Sequence, residues 1–202
     1  MLHGMDETEL DGTIAFLALV ERLKDTLRNS RTSTGRTEST AEHTWRLALM
    51  ALLLGPELGV DASRLLRICL VHDLAEAVTG DLPAPAPRRA GVKQAREREA
   101  LATLTMTLPS RQRADLFALW EEYETGSTPE GRLAKGLDKL ETILQHAQGS
   151  NPPDFGYAFN LAYGRKDTDA HPLLAAMRAR LDAATRGRME PGEDAVTLPG
   201  TP

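Results

Sequence analysis

The pair His72-Asp73 carries more chemical information than any other part of this chain. It lies in Leu65-Leu66-Arg67-Ile68-Cys69-Leu70-Val71-His72-Asp73-Leu74-Ala75-Glu76, an otherwise apolar stretch of helical character. A helix that buries this face brings an imidazole and a carboxylate into the interior. A buried carboxylate must be paired, protonated or metal-bound, because burial without a partner costs many kcal/mol. His43 upstream and Asp138 downstream stand on other helical patterns. Together the four form a His…His-Asp…Asp set. Imidazole nitrogen and carboxylate oxygen suit Mn, Fe, Co, Zn or Mg, with positions left for water and substrate. Taken singly, each has an ordinary reading: hydrogen-bonded core histidines and a surface carboxylate. Taken together, with Glu76 one turn beyond His72, they point to one divalent metal ion and hydrolytic chemistry.

Adjacent helical residues diverge by about 100°, so one ion beside the helix is needed for His72 and Asp73 to share it. His43 and Asp138 must then approach from neighbouring helices, as in a helical bundle. The periodicity supplies such helices. Residues 10–27 carry Ile14, Phe16, Leu17, Leu19, Val20, Leu23 and Leu27 as an apolar side. Residues 28–37 are polar and read as a loop. A second helix starts near Ser39 or Thr40, with His43, Leu47, Met50 and Leu54 on its buried stripe, and Gly55-Pro56 ends it. Asp61 is an N-cap for a third helix that runs through His72 to Ala77. Further helices are expected over 91–107, from a Ser110 cap to Tyr123, over 129–147, and from His171-Pro172 to Thr185. Leu133, Leu137, Leu140 and Leu144 form a stripe that Asp138 flanks. The fold expected is all-α, a single-domain helical bundle over residues 10–186. Residues 1–9 are expected to be a flexible N-terminus and 187–202 a disordered tail.

The 202 residues are enough for one core. Hydrophobic residues make up 41% and aromatics only 4%, which favours helices over sheets and argues against global disorder. The net charge of −5 implies no strongly basic face, so no nucleic-acid polymer is expected as partner. Cys69 is the only cysteine, which excludes an intramolecular disulfide and suits a reducing interior. No signal-peptide or membrane-spanning run is present, so a cytoplasmic protein is expected, without a membrane partner. The apolar stripes exceed what one domain covers, so a homodimer is a further expectation.

Three segments carry a family resemblance: Glu38-Ser39-Thr40-Ala41-Glu42-His43-Thr44-Trp45-Arg46, then Val71-His72-Asp73-Leu74-Ala75-Glu76-Ala77-Val78-Thr79-Gly80-Asp81-Leu82-Pro83, then Lys135-Gly136-Leu137-Asp138-Lys139-Leu140-Glu141. In order and spacing they resemble the HD-domain metal phosphohydrolases. The nearest subgroup is the 5′-deoxynucleotidases, including the group called HD-domain-containing protein 2. Leu119-Trp120-Glu121-Glu122-Tyr123-Glu124 also resembles that group, and the similarity spans roughly residues 10–185. The resemblance implies a helical, single-metal hydrolase of deoxynucleoside 5′-monophosphates, with a small nucleotide as substrate. It carries the metal ligands onto His43, His72, Asp73 and Asp138, and the catalytic carboxylate onto Glu76. The sugar-contacting loop maps to Asp81, Leu82, Pro83 and Ala84. A phosphate-orienting Arg has the separation of Arg28, with Arg31 and Arg36 as rivals, and Asn29 stands where bacterial members have Trp. Other HD proteins with two metals need further histidines, and none occurs between Asp73 and Asp138. A (d)NTP triphosphohydrolase, a specialised nucleotide phosphatase and a non-catalytic nucleotide sensor are the rival readings. Lys135, His3, His146 and His171 stay outside the expected site.

Overall fold

In a computed structural model the described residues are 4–81 and 91–189. The first helix, α1 (Glu7–Val20), begins inside the segment expected to be flexible, because Asp6 and Glu9 close a reciprocal capping box. It ends seven residues short of the expected Leu27, in a 3₁₀ turn over Glu21–Lys24. Phe16 and Leu23 are buried, whereas Ile14, Leu17 and Leu27 of the expected stripe face outward.

The segment expected to be a loop pairs as an antiparallel ribbon, β1 (Leu27–Arg31) with β2 (Thr37–Ser39), irregular in register between its ends. Its polar side chains hid it, since strand periodicity needs an alternating apolar face that a two-stranded ribbon at the rim does not have. The ribbon aside, the described fold is helical, as expected. Ser39 ends the ribbon and caps α2 (Thr40–Leu54) through a capping box with Glu42. Asp61 caps α3 (Ala62–Val71) by accepting from the Arg64 N–H.

The expected continuous helix to Ala77 is broken. After Val71 the backbone bonds tighten to the i→i−3 type, Leu74 to Val71, Glu76 to Asp73 and Ala77 to Leu74. The short α4 (Glu76–Thr79) follows, and Gly80 stops it at φ +73°, a left-handed value that glycine adopts without a Cβ penalty. This tightened turn sets the angle between His72, Asp73 and Glu76.

Next come α5 (Val92–Leu104), α6 (Ser110–Thr125) and α7 (Pro129–Gln148). Ser110 is the first helical residue rather than the cap, and Pro109 precedes it without a side-chain bond. Thr128 caps α7 by accepting from the Gly131 N–H. Two short helices absent from the periodicity, α8 (Phe159–Ala162) and α9 (Arg165–Thr168), lead into α10 (Pro172–Arg186), which His171 caps. Fully buried Arg178 holds this segment: it donates to the carbonyls of Tyr163 (2.6 Å) and Asn160 (2.5 Å) and pairs with Asp182 (2.6 Å). The tail expected to be disordered lies beyond residue 189, outside the described residues, apart from Gly187–Met189.

Helix α7 is the axis of the bundle and packs against α2, α3, α6, α9 and α10. Leu47, Leu65, Ile68, Leu101, Leu137 and Leu174 fill one core at these crossings. Among the described residues, no helix is long and apolar enough to cross a membrane. The α6–α7 crossing depends on Gly131, where a Cβ would collide with the carbonyl of Glu122. Gly131→Ala is therefore expected to destabilise by about 1–3 kcal/mol despite its higher helix propensity. Gly156→Ala, where a Cβ meets nothing, is expected to stay within about 0.5 kcal/mol. Urea denaturation of the two variants checks the contrast.

Candidate metal centre and cleft

Ribbon strand β1, the turn that follows α3, and helices α5, α6 and α7 line a cleft of about 740 Å³ including its open mouth. Its size suits a small ligand. His43, one turn into α2, points inward because the Ser39–Glu42 box starts the helix there, while Glu42 is turned out and held by Arg36.

Each buried ring has one nitrogen held and the other free. The Nδ1 of His43 meets Glu141 Oε2, and Glu141 Oε1 accepts from Arg46 Nε at 2.7 Å. The Nδ1 of His72 meets the Cys69 carbonyl at 2.8 Å. A carbonyl and a carboxylate accept, so each Nδ1 carries a proton and each Nε2 is the atom left to face the centre. Both Nε2 atoms are buried without a hydrogen-bond partner. Orphaned buried polar atoms are rare and call for an explanation.

The surroundings supply one. Donor atoms of His43, His72 and Asp73 lie within 4.8 Å of one another, a candidate metal site. Asp73 Oδ2 is 2.9 Å from His72 Nε2 and 3.8 Å from His43 Nε2. Asp138 is buried, not a surface carboxylate, and its Oδ1 is 3.3 Å from His43 Nε2. Its Oδ2 is taken by the Tyr123 hydroxyl (2.6 Å) and Lys139 Nζ (2.8 Å), which leaves Oδ1 to face the rings. Two imidazoles and one carboxylate grouped this closely, with the Asp138 carboxylate beside His43, fit a divalent ion.

The electrostatics agree. Burial and Arg28 oppose a charge on His43, but Glu141 and Asp138 outweigh them and raise its pKa to about 10. Burial disfavours ionised Asp73, yet the His72 and His43 rings hold its carboxyl well below the usual range. Asp138 is likewise held low against burial, by Lys139 and His43. The field thus favours positive charge on His43, and a divalent cation held there would take the place of its second proton.

Glu76 is buried and lines the cleft, with one oxygen bonded to the Thr40 hydroxyl at 3.0 Å. Burial, with the Asp73 and Asp81 carboxylates nearby, pushes it up to about 9. Arg28 reaches in from β1: its Nη2 donates to Thr142 Oγ1 (3.2 Å), and its Nη1 is 3.7 Å from Asp73 Oδ2. The rivals are placed elsewhere. Arg31 is exposed and bonds Thr37 across the ribbon, and Arg36 pairs with Glu42 outside. Asp81 lines the cleft just past Gly80, half-buried. Leu82, Pro83 and Ala84 lie outside the described residues. Sequence reasoning missed Glu141, Tyr123, Lys139, Thr40 and Thr142 as parts of the site. Glu141 had a signal, since it falls one turn after Asp138 on the same face. Tyr123 and Thr40 had none, because only tertiary packing brings them in. His146 is also buried and lines the cleft, contrary to its exclusion.

Comparison with known proteins finds relatives across most of this chain. The protein named 5′-deoxynucleotidase HDDC2 of Homo sapiens is 39% identical over 140 residues, 67% of either chain. Its namesake in Danio rerio is 38% identical over 139 residues, 67% of this chain and 68% of that protein. A solved structure described as a predicted metal-dependent phosphohydrolase from Magnetospirillum magnetotacticum superposes with a TM-score of 0.78 at 33% identity. That superposition covers 92% of this chain and 97% of the other. The family model for the HD domain matches residues 20–178, across all three helices that bear the buried histidines and carboxylates, and this chain belongs to that family.

Proposed function

We propose that the chain is a metal-dependent phosphomonoesterase that hydrolyses deoxynucleoside 5′-monophosphates to nucleoside and phosphate. The observation that carries this reading is the pair of buried, partnerless Nε2 atoms facing Asp73 and Asp138 on the floor of a cleft that also holds Arg28. Relatives named 5′-deoxynucleotidases support the substrate class.

In this reading His43, His72, Asp73 and Asp138 hold one divalent ion, of Mn, Co, Mg, Fe or Zn. When bound, such an ion lowers the pKa of its water to about 7 and offsets phosphate charge. Arg28 orients the phosphate through its paired N–H groups, fixed by Thr142. Glu76, aligned by Thr40 and kept protonated by burial beside Asp73 and Asp81, gives its proton to O5′ as the ester bond breaks, while the proton of the attacking water leaves to solvent. Asp81 accepts from the sugar 3′-hydroxyl and crowds a 2′-hydroxyl; Leu82, Pro83 and Ala84 are assigned to sugar contact by the family resemblance alone. A cytoplasmic home and a homodimer complete the reading. Exposed Leu52 and Leu53 on α2 offer an apolar surface for the latter.

Dialysis against a chelator is expected to abolish phosphate release from deoxynucleoside monophosphates, and added Mn or Co to restore it. Release of triphosphate from dNTPs instead would favour the triphosphohydrolase, and binding without release the sensor. Glu76→Gln is expected to lower kcat by about 100-fold or more while metal affinity, read by calorimetry, changes little. Unchanged turnover in that variant removes Glu76 from the chemistry. Arg28→Lys keeps the charge but loses the fork, so KM for the monophosphate is expected to rise about tenfold. Steady-state kinetics on the monophosphate series checks this.

A further inference from the structure

Helix α7 presents three side chains to the cleft at four-residue steps: Asp138, Thr142 and His146. At 1.5 Å per residue, Thr142 lies about 6 Å and His146 about 12 Å along the axis from Asp138. Asp138 belongs to the metal set and Thr142 anchors Arg28, so the phosphate occupies the first half of this scale. His146 stands beyond it.

The His146 ring is fixed on several sides. Its Nδ1 is 2.8 Å from Asn160 Oδ1. Asn160 is fully buried, and Arg178 holds its backbone carbonyl at 2.5 Å. The Phe155 ring packs edge-on against the imidazole at 4.9 Å between centroids. An amide oxygen only accepts, so Nδ1 carries the proton. Burial lowers the pKa of this histidine, which keeps the ring neutral near pH 7. Nε2 therefore bears a lone pair, and among the described residues no group donates to it. A phosphate dianion offers only acceptors, so a neutral acceptor cannot recognise it. The matching group is a hydroxyl or an N–H.

We propose that His146 is a specificity-determining residue that presents Nε2 as acceptor to a hydrogen-bond donor on the nucleoside portion of the substrate. The inference rests on the nucleotide reading of the cleft. The donor is a sugar hydroxyl or a base N–H, and the test separates the two.

Two variants divide the ring's functions. Asn in His146→Asn retains an N–H for Asn160 but cannot reach the cleft, whereas Gln in His146→Gln offers an oxygen near the place of Nε2. Three substrates are compared: a deoxynucleoside 5′-monophosphate, deoxyribose 5-phosphate and p-nitrophenyl phosphate. His146→Asn is expected to lose about tenfold in kcat/KM on the nucleotide, mainly through KM, and to stay within about twofold on p-nitrophenyl phosphate. His146→Gln is expected to recover most of the loss. If deoxyribose 5-phosphate shows the same loss, the donor is on the sugar; if not, it is on the base. An equal loss on all three substrates assigns His146 a structural role and overturns the proposal, as does no loss on the nucleotide. Should the wild-type protein release no phosphate from the nucleotides, the hydrolase reading falls by itself. Calorimetric binding of the same nucleotide then decides: a tenfold weaker affinity in His146→Asn upholds the recognition role, and no binding to the wild type ends both.

Discussion

The structure is organised around buried charge. Asp73, Asp138 and Glu141 lie with His43 and His72 where three helices cross, shielded from bulk water. Two like charges about 4 Å apart repel by roughly 4 kcal/mol at an effective dielectric of 20. Such a cluster persists only if cations answer it. The chain supplies Arg28, Arg46 and Lys139, each against a different carboxylate. None of these donates to the two Nε2 atoms, which are left facing Asp73 and Asp138. Those nitrogens and the carboxylates beside them form a candidate metal site, so the donor set and the stability of the core are parts of one arrangement.

The helices are built to hold this arrangement still. Glu141 orients His43, a backbone carbonyl orients His72, and Tyr123 with Lys139 orients Asp138. Each outer partner arrives on a different element, so the rings are fixed by packing rather than by local sequence. The tightened turn after Val71 contributes equally. It turns His72 and Asp73 toward the centre and sets Glu76 against Thr40, at the start of α2. A straight helix would have spaced these three groups differently.

The ribbon has a similar part. It is small and polar, yet it carries Arg28 from the surface into the cleft and ends at the residue that caps α2. Arg28, Arg31 and Arg36 are of one type and close in sequence, but they face three different environments. Alternation along β1 sends Arg31 outward, and the cap at Ser39 draws Arg36 to Glu42. Arg28 alone meets the buried carboxylates.

What the sequence determined by itself was the helical class, the cap at Asp61, the start of α2 near Ser39, and the donor types of a candidate metal set. These signals are local: periodicity, capping chemistry and donor type lie within a few residues of one another. The spacing of His43, His72-Asp73, Glu76 and Asp138 was legible for the same reason. The tertiary structure alone decided which arginine enters the cleft, that α3 breaks at His72, and that His146 and Tyr123 join the wall. Those outcomes depend on contacts between residues far apart in the chain, where burial and pairing outweigh local propensity.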